Sequence, residues 1–300
     1  MSTKRKRKEP WRVSLHGGHS KEFCDHGRAP LRKMLERAIE EGFTIYGVTE
    51  HAPRVKEKCL FPKERAAGWS VETLRQIFDD YCSTLTELAQ EFSADLEVLR
   101  GFEAEMVPVD SFKEVMLSLK EKHQMDYLVA SVHWVHEELI LSSDINPFNR
   151  AMEICGSYEA MACQYFESVA LMTTELRPEV VGHFDVIRRH GDKFGSLEEP
   201  SIKKTIMETL ELVKEHNAII DVNLAAYRRG FDTPFPLPWI VKEAHRMGIG
   251  LCFGDDSHSL KQVGQNMDRA RQYLLDQGVR AIRVLRRRNG QIVQDEVPLI

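Results

Sequence analysis

The chain has no Cys-x-x-Cys pair. Its six cysteines, Cys24, Cys59, Cys82, Cys155, Cys163 and Cys252, are scattered, which argues against a zinc ribbon and offers no disulfide framework. No secretory signal precedes them, so they read as the reduced thiols of a cytoplasmic protein. No run is long or apolar enough to span a bilayer. Low-complexity segments, internal repeats and linkers rich in Pro, Gly and Ser are also missing, so a single domain is expected over residues 11–300. Positive charge is not in excess: a net charge of −5 gives no bulk attraction to nucleic acid or to an anionic membrane. The exception is Lys4 to Lys8, five basic residues in a row, which read as a solvated, disordered tail over residues 1–10 rather than a nucleic-acid or import patch.

What is present is material for a large core, 300 residues of 42% hydrophobic composition. Trp11–Leu15 is a short apolar element that runs into His16-Gly-Gly-His19-Ser20 and then Phe23-Cys-Asp25-His26-Gly27. A helix is expected from Pro30, with Leu31, Leu35, Ala38 and Ile39 on one face and Gly42 as its stop. The strand Thr44–Thr49 follows and ends in Glu50-His51. After a polar loop, Ala52–Trp69, Ser70 is placed to cap a helix whose apolar residues recur at three and four from Val71 to Phe92.

The unit repeats. Glu97–Phe102 leads into Glu103-Ala-Glu105, and a helix near Ser111–Glu121 precedes the strand Tyr127–Val132, which ends in His133. One long helical region from about Pro147 to Leu176 comes before Val180-Val-Gly-His183-Phe-Asp185. The helix from Pro200 to His216 leads to the strand Ala218–Val222 and Asn223, and that from Leu237 to Met247 leads to Gly250–Ser259 with Asp256 and His258. About seven strand–helix units of this kind predict an α/β fold whose parallel sheet is closed or nearly closed by helices. In such barrels chemistry sits where strands end and loops begin. That rim would collect His16, His19, His51, Glu103, His133, His183, Asn223, Asp256 and His258.

A single histidine at a strand end is more often a structural residue than a ligand, but here the coincidence recurs on successive strands. His123, His190, His216 and His245 lie in or just beyond helices and read as surface residues. Imidazoles and carboxylates without thiolates suit zinc, manganese or iron, and they are too numerous for one ion, so two or three divalent metals are expected. Closely spaced divalent ions generate hydroxide at neutral pH and clamp oxyanions, which is the chemistry of phosphate-ester hydrolysis.

The motifs HGGHS with CDHG, GVTEH, GFEAE, ASVHW, VVGHFDVIRR, DVNLAAYRRG and GDDSH, in that order, resemble those of the PHP (polymerase and histidinol phosphatase) family, nearest its histidinol-phosphatases. The resemblance covers nearly the whole chain, including Ala281–Val284 and Val297-Pro-Leu as a final strand and tail. It implies a distorted (β/α)7 TIM-like barrel with a trinuclear centre. By resemblance, His16, His19, Glu103 and Asp256 would hold one ion and Glu103, His133 and His183 a second, while His26, His51 and His258 would hold a third. The family pattern is His-x-His where this chain has His16-Gly-Gly-His19. The extra glycine is expected to form a bulge, and the change leaves Asp25 as an alternative to His26.

The expected reaction is hydrolysis of histidinol phosphate, with a metal-bridging hydroxide attacking phosphorus in line. Arg188 and Arg228 match arginines expected to grip the phosphate, with Asn223 beside them. Asp185 is a candidate proton relay or orienter of a ligand histidine, and His258 is a second catalytic candidate. The amine and imidazole of that substrate would favour a pocket made by the loop Ala52–Trp69, Glu50 and Glu105. Another small phosphate ester, a nucleotide end, or a non-catalytic metal-binding module are the competing readings. The net charge and the lack of a polymerase segment weigh against nucleic acid.

Overall fold

Short apolar strands alternating with amphipathic helices pack as parallel pairs, because each following helix covers one face of the sheet while the other face turns inward. The computed structural model describes residues 6–300. Strand β1 (Val13–Ser14) is followed by α1 (Leu31–Glu40) and β2 (Ile45–Val48), then by the short α2 (Pro62–Ala66) within the polar loop. Helix α3 (Val71–Glu91) begins where Ser70 Oγ accepts from Thr73 N at 3.1 Å, as its sequence predicts. Next come β3 (Glu97–Arg100), β4 (Glu103–Glu105), α4 (Phe112–Lys122) and β5 (Val129–Ser131), then a small hairpin of β6 (Trp134–Val135) and β7 (Glu138–Leu139).

The helical region before residue 177 is two helices, not one. α5 (Asn146–Cys155) stops at Gly156, and α6 (Tyr158–Leu176) restarts with Ser157 Oγ accepting from Ala160 N. The glycine and serine side by side act as stop and cap. Then follow β8 (Val180–Val181), α7 (Arg188–Gly191), α8 (Pro200–Glu215), β9 (Ile219–Asn223), α9 (Ala225–Arg228), α10 (Pro238–Met247), β10 (Leu251–Gly254), α11 (Met267–Asp276), β11 (Ala281–Arg288) and β12 (Gln291–Pro298).

The parallel strands lie in two sheets, β1-β2-β3 and β4-β5-β8-β9-β10. β3 and β4 are the two halves of one barrel strand, broken at Gly101-Phe102. They carry the pairing across: Gly101 N donates to Val48 O at 3.0 Å and Glu103 N to Glu50 O at 2.8 Å. On the other side Leu15 N donates to Phe253 O at 2.9 Å, bringing β1 against β10 and closing a ring of seven strands. The (β/α)7 barrel expected from the sequence is therefore present, distorted by strands as short as two residues. Its interior and its helix-facing layer form one continuous apolar core.

Ala281–Val284 and Val297-Pro-Leu, expected as a strand and tail, belong to the antiparallel hairpin β11–β12, with Ala281 opposite Pro298. The hairpin packs over the strand beginnings, where Arg287 N donates to Glu97 Oε1 and Gln294 Nε2 to Asn217 O. It lies at the end of the barrel remote from the rim. Of the basic tail, residues 1–5 lie outside the described residues. Residues 6–10 run along α1 and the barrel edge: Lys6 N donates to Glu40 O at 2.7 Å, and Thr44 Oγ1 to Pro10 O at 3.5 Å.

Candidate metal centre

Glu103, buried at the start of β4, is the hub of the rim. Its Oε1 lies 3.4 Å from His16 Nε2, 3.3 Å from His133 Nε2 and 3.0 Å from His183 Nε2, and its Oε2 lies 2.8 Å from His51 Nδ1 and 3.6 Å from His19 Nε2. His19 Nε2 is also 3.6 Å from Asp256 Oδ1. Parallel strands that end at the same height converge their last side chains on one point, so residues 16 to 258 meet here.

His16 Nδ1 lies 2.8 Å from Asp221 Oδ2 and His133 Nδ1 lies 2.5 Å from Glu105 Oε1, so each of these rings in its neutral form gives its proton to a carboxylate on its far side. In that neutral form their Nε2 lone pairs point at Glu103, acceptor facing acceptor, so either a second proton on the ring or a metal cation must lie between them. His16 Nε2, His19 Nδ1, His51 Nδ1 and His183 Nδ1 are buried without a hydrogen-bond partner, and His133 Nε2 faces His183 Nε2 at 3.1 Å. Buried acceptors aimed at one another are costly unless a cation lies between them. The donor set, nitrogen and oxygen with one sulfur, fits divalent transition metals.

Four groups of ligand atoms each fall within 4.8 Å: His16, His19 and Glu103; His51, Glu103 and His133; His19, Cys24, His51 and His258; and Cys24, Asp25 and His26. The first matches the expected ion site, with Asp256 beside it. The second contains His51 where the sequence reading had His183, though His183 touches the same Glu103 oxygen. The third holds Cys24, which the expectation of a thiolate-free centre left out. His26 stacks on His258 at 4.7 Å between ring centres, and its Nδ1 is hydrogen-bonded to the Asp25 carboxylate. Both remaining candidates of that segment are thus at the site, bonded to each other.

The His16-Gly-Gly-His19 departure needs room rather than unusual dihedrals. Neither glycine has a positive φ. A Cβ on Gly17 would sit 2.0 Å from Gly47 O, and one on Gly18 2.9 Å from Ser257 O. The segment threads between β2 and the turn after β10, and His19 N donates to Ser257 O at 2.7 Å. Positive φ is found instead at His183 (23°) and Asp256 (44°), two candidate ligands in a region that non-glycine residues avoid.

Above the cluster opens a cavity of about 830 Å³ whose floor is the metal-ligand set and whose walls include Phe61, Lys63, Leu141, Arg189, Arg228 and Arg229. Residues 16–225 match the PHP domain family. The chain belongs to that family. Among curated relatives it is 29% identical over 292 residues to a protein named "Probable histidinol-phosphatase" of Schizosaccharomyces pombe, covering 94% of this chain and 93% of that one. It is 24% identical over 293 residues to the histidinol-phosphatase of Saccharomyces cerevisiae, covering 87% and 88%. A solved histidinol phosphate phosphatase of Lactococcus lactis, complexed with zinc, L-histidinol and phosphate, superposes with a TM-score of 0.68 at 15% identity, over 94% of this chain and 99% of that one.

Behind the ligands of this PHP domain stands a row of buried acids that the sequence reading did not single out. Asp221 Oδ2 accepts from His16 Nδ1, from Asn223 Nδ2 at 3.0 Å and from His183 N at 3.3 Å. A Cβ on Gly254 would lie 2.2 Å from its other oxygen, so β10 must carry glycine for this carboxylate to fit. Asp255 accepts from Ser14 Oγ, Tyr46 Oη and Gly264 N. The signal was there: a lone acid inside the apolar run of β9 has no reason to be buried unless it serves a partner. Asp221→Asn is expected to lower metal affinity by roughly 10–100-fold, as loss of a carboxylate that orients a ligand histidine does. Competition against a chromogenic chelator measures it, and wild-type affinity would remove the orienting role.

Electrostatics follow the same layout. Burial alone would lower His133, but Glu105 and Glu103 outweigh it and hold its pKa at about 10. Burial lowers His19 to about 4, keeping its ring neutral and a lone pair available. Glu50, with Ser20 N and Oγ on its Oε1, is raised by burial to about 8. Glu50 and Glu105 are thus committed to Ser20 and His133 and do not line the cavity; outside the metal cluster its wall carboxylates are Asp25 and Asp144.

Two expected roles need correction. Arg188 is not on the cavity wall. Its Nε lies 3.0 Å from Asp185 Oδ2, its Nη2 donates to Pro234 O, and its guanidinium sits over Phe231 and Phe235. Asp185, fully buried, also accepts from Leu237 N at 2.9 Å, so it is tied to the loop before α10 and does not line the cavity. One turn of α7 directs Arg188 inward and its neighbour Arg189 into the cavity, a choice that adjacent arginines do not reveal in sequence. Arg228 does line the cavity; its Nη2 donates to Asp256 O at 2.6 Å and its buried Nη1 has no partner. Asn223 is at the cavity too, but its amide is engaged with Asp221, Asp256 and Ala225 N.

Proposed function

We propose that this PHP domain is a metal-dependent phosphomonoesterase that hydrolyses L-histidinol phosphate to L-histidinol and phosphate. The observation that carries the reading is the set of acceptor atoms turned on Glu103 at the floor of a cation-walled cavity. The names of the curated relatives, and the histidinol and phosphate in the Lactococcus protein, support the substrate. Two or three ions of zinc, manganese or iron would be held by His16, His19, Glu103 and Asp256, by Glu103, His51, His133 and His183, and by His51 and His258 with a residue of the Cys24–His26 segment.

Bound divalent ions supply Lewis acidity for the phosphoryl oxygens and lower the pKa of a coordinated water. The chain supplies the rest. Arg228, with one guanidinium nitrogen free, is placed to bond a phosphoryl oxygen. Arg189 is lowered to about 10 by burial and then by Arg229, with Asp256 opposing. Two repelling guanidiniums on one wall suit an incoming anion. Asp221 and Glu105 fix the tautomers of His16 and His133, so their lone pairs stay aimed at the centre. His258 Nδ1 lies 3.1 Å from Asp256 O and donates to it, leaving Nε2 as the ring atom that can bind or move a proton. Phe61, Lys63 and Leu141 form part of the cavity wall beside the cluster.

Arg228→Ala is expected to lower kcat/KM by roughly 10–100-fold, the value of a lost hydrogen bond to a charged group, with metal content unchanged in the same preparation. The reading as a whole is tested by phosphate release from histidinol phosphate, nucleoside monophosphates and an aryl phosphate with zinc or manganese. Turnover of none of them would end the catalytic reading, and a preference for nucleotides would end the histidinol assignment alone. All six cysteines are free and no helix among the described residues is long and apolar enough to cross a membrane, which supports a cytoplasmic enzyme acting on a small molecule.

A further inference from the structure

We propose that Tyr46 is a positioning residue of the metal centre: its hydroxyl, bonded to Asp255 and Ser257, sets the turn that carries Asp256 and His258 against the segment that carries His16 and His19. The inference rests on the metal-centre reading and is independent of the substrate. Asp256 sits at φ 44°, in the left-handed region, and a residue other than glycine stays there only where its surroundings hold it. Here both of its chain neighbours are fixed to one atom. Tyr46 Oη lies 3.1 Å from each Asp255 carboxylate oxygen and 2.9 Å from Ser257 Oγ. A carboxylate only accepts, so the phenol gives its proton to Asp255 and accepts the one that Ser257 donates. Asp256 N in turn donates to His16 O at 2.8 Å, which joins the clamped turn to the end of β1.

The clamp reaches the histidine segment as well. Ser14, two residues before His16, donates from Oγ to Asp255 Oδ1 at 2.9 Å and accepts from Asp255 N at 3.1 Å. Gly264 N holds the other Asp255 oxygen at 3.0 Å. His16-Gly-Gly-His19 lies on the same pair of hydroxyls: a Cβ on Gly17 would stand 2.8 Å from Tyr46 Cε1 and one on Gly18 2.7 Å from Ser257 Oγ, while His19 N donates to Ser257 O at 2.7 Å. The two glycines leave room for that hydroxyl pair under the segment. Ser14, Tyr46, Asp255 and Ser257 are all fully buried, and none of them lines the cavity. Packing alone does not call for them, because phenylalanine would fill the place of Tyr46 beside Phe43 and apolar residues could replace its partners. What the polar set adds is direction: apolar burial is non-directional, whereas hydrogen bonds fix distances and angles.

The test is zinc affinity of the full-length protein, read by competition against a chromogenic chelator, in Tyr46→Phe, Ser257→Ala and the double variant, with the Tm of each metal-free protein alongside. Tyr46→Phe is expected to weaken metal binding by roughly 10–100-fold, as loss of a group that orients ligands does. Ser257→Ala should weaken it too, and the double variant should fall short of the product of the two losses, since both substitutions break the same hydrogen bond. A Tyr46→Phe protein with wild-type metal affinity, whatever its Tm, would overturn the inference and leave Tyr46 as a core residue, as would two losses that multiply in full. A wild-type protein that binds no metal would overturn the metal-centre reading along with it. Should Tyr46→Phe fail to fold, Ser257→Ala decides: it removes one hydroxyl from the same bond, and unchanged metal affinity there overturns the inference.

Discussion

Glu103→Gln should lose bound metal and cut phosphate release by roughly 10³-fold or more. Glu103 presents both carboxylate oxygens to five imidazoles, and among the described residues no other side chain touches as many of the candidate ligands. Glutamine keeps the shape but offers one oxygen and replaces the other with a donor that cannot ligate. It also removes the negative charge that the ions would share. A metal ion is worth several kcal/mol of charge stabilisation in the transition state, and about 1.36 kcal/mol corresponds to tenfold in rate. Two of the four ligand groups contain Glu103, so the loss should appear in metal stoichiometry as well as in rate. A variant with wild-type metal content and turnover would show that Glu103 is only a hydrogen-bond partner of the histidines.

Arg188→Ala should act on stability. Asp185 and Arg188 are both buried and paired at 3.0 Å, and removing one partner of such a pair costs about 3–5 kcal/mol because the other charge is stranded. In a domain of this size that corresponds to a Tm lowered by roughly 10 °C. The deficit should depend on pH. Burial already raises Asp185 to about 6 despite Arg188, so the folded protein binds a proton more tightly there than the unfolded chain, whose carboxyl titrates near about 4. A group shifted in that direction loses stability as pH rises through that interval, and removal of Arg188 pushes the folded value higher still. The Tm difference from wild type should therefore be larger at pH 8 than at pH 5, read by calorimetry at both. If instead Tm is unchanged and only kcat/KM falls, Arg188 grips phosphate as its sequence position suggested.

The contrast between Arg188 and Arg228 shows where sequence reasoning reaches its limit. Strand ends were legible, because an apolar run followed by His or Glu marks both the element and the direction of its last side chain. His16, His19, His51, Glu103, His133, His183, Asp256 and His258 were all found in this way and all converge. Side chains on the short helices α7 and α9 were not legible. One residue of shift there rotates a side chain by about 100°, enough to move it from cavity to core. Arg188 was exchanged for Arg189 by that rotation. Cys24 was overlooked for another reason: the spacing of its loop carries no period, and only the turn closed by Gly27 N to Cys24 O brings it under His258. The buried acids Asp221 and Glu105 were visible as charges in apolar strands but had no partner in the one-dimensional pattern.

The broken strand formed by β3 and β4 has a consequence for assembly. β3 pairs with β2 and β4 with β5, so this one strand joins the two sheets on the side opposite the β1–β10 contact, and His51 and Glu103 form an isolated bridge there. The residue that gathers the imidazoles therefore also sits at one of the two joints between the sheets. Its partners are separated by up to 167 residues along the chain on one side, counting from His16 to His183. Both groups that include Glu103 need this strand in place against its neighbours, so metal capture at those positions and the joint between the two sheets support each other.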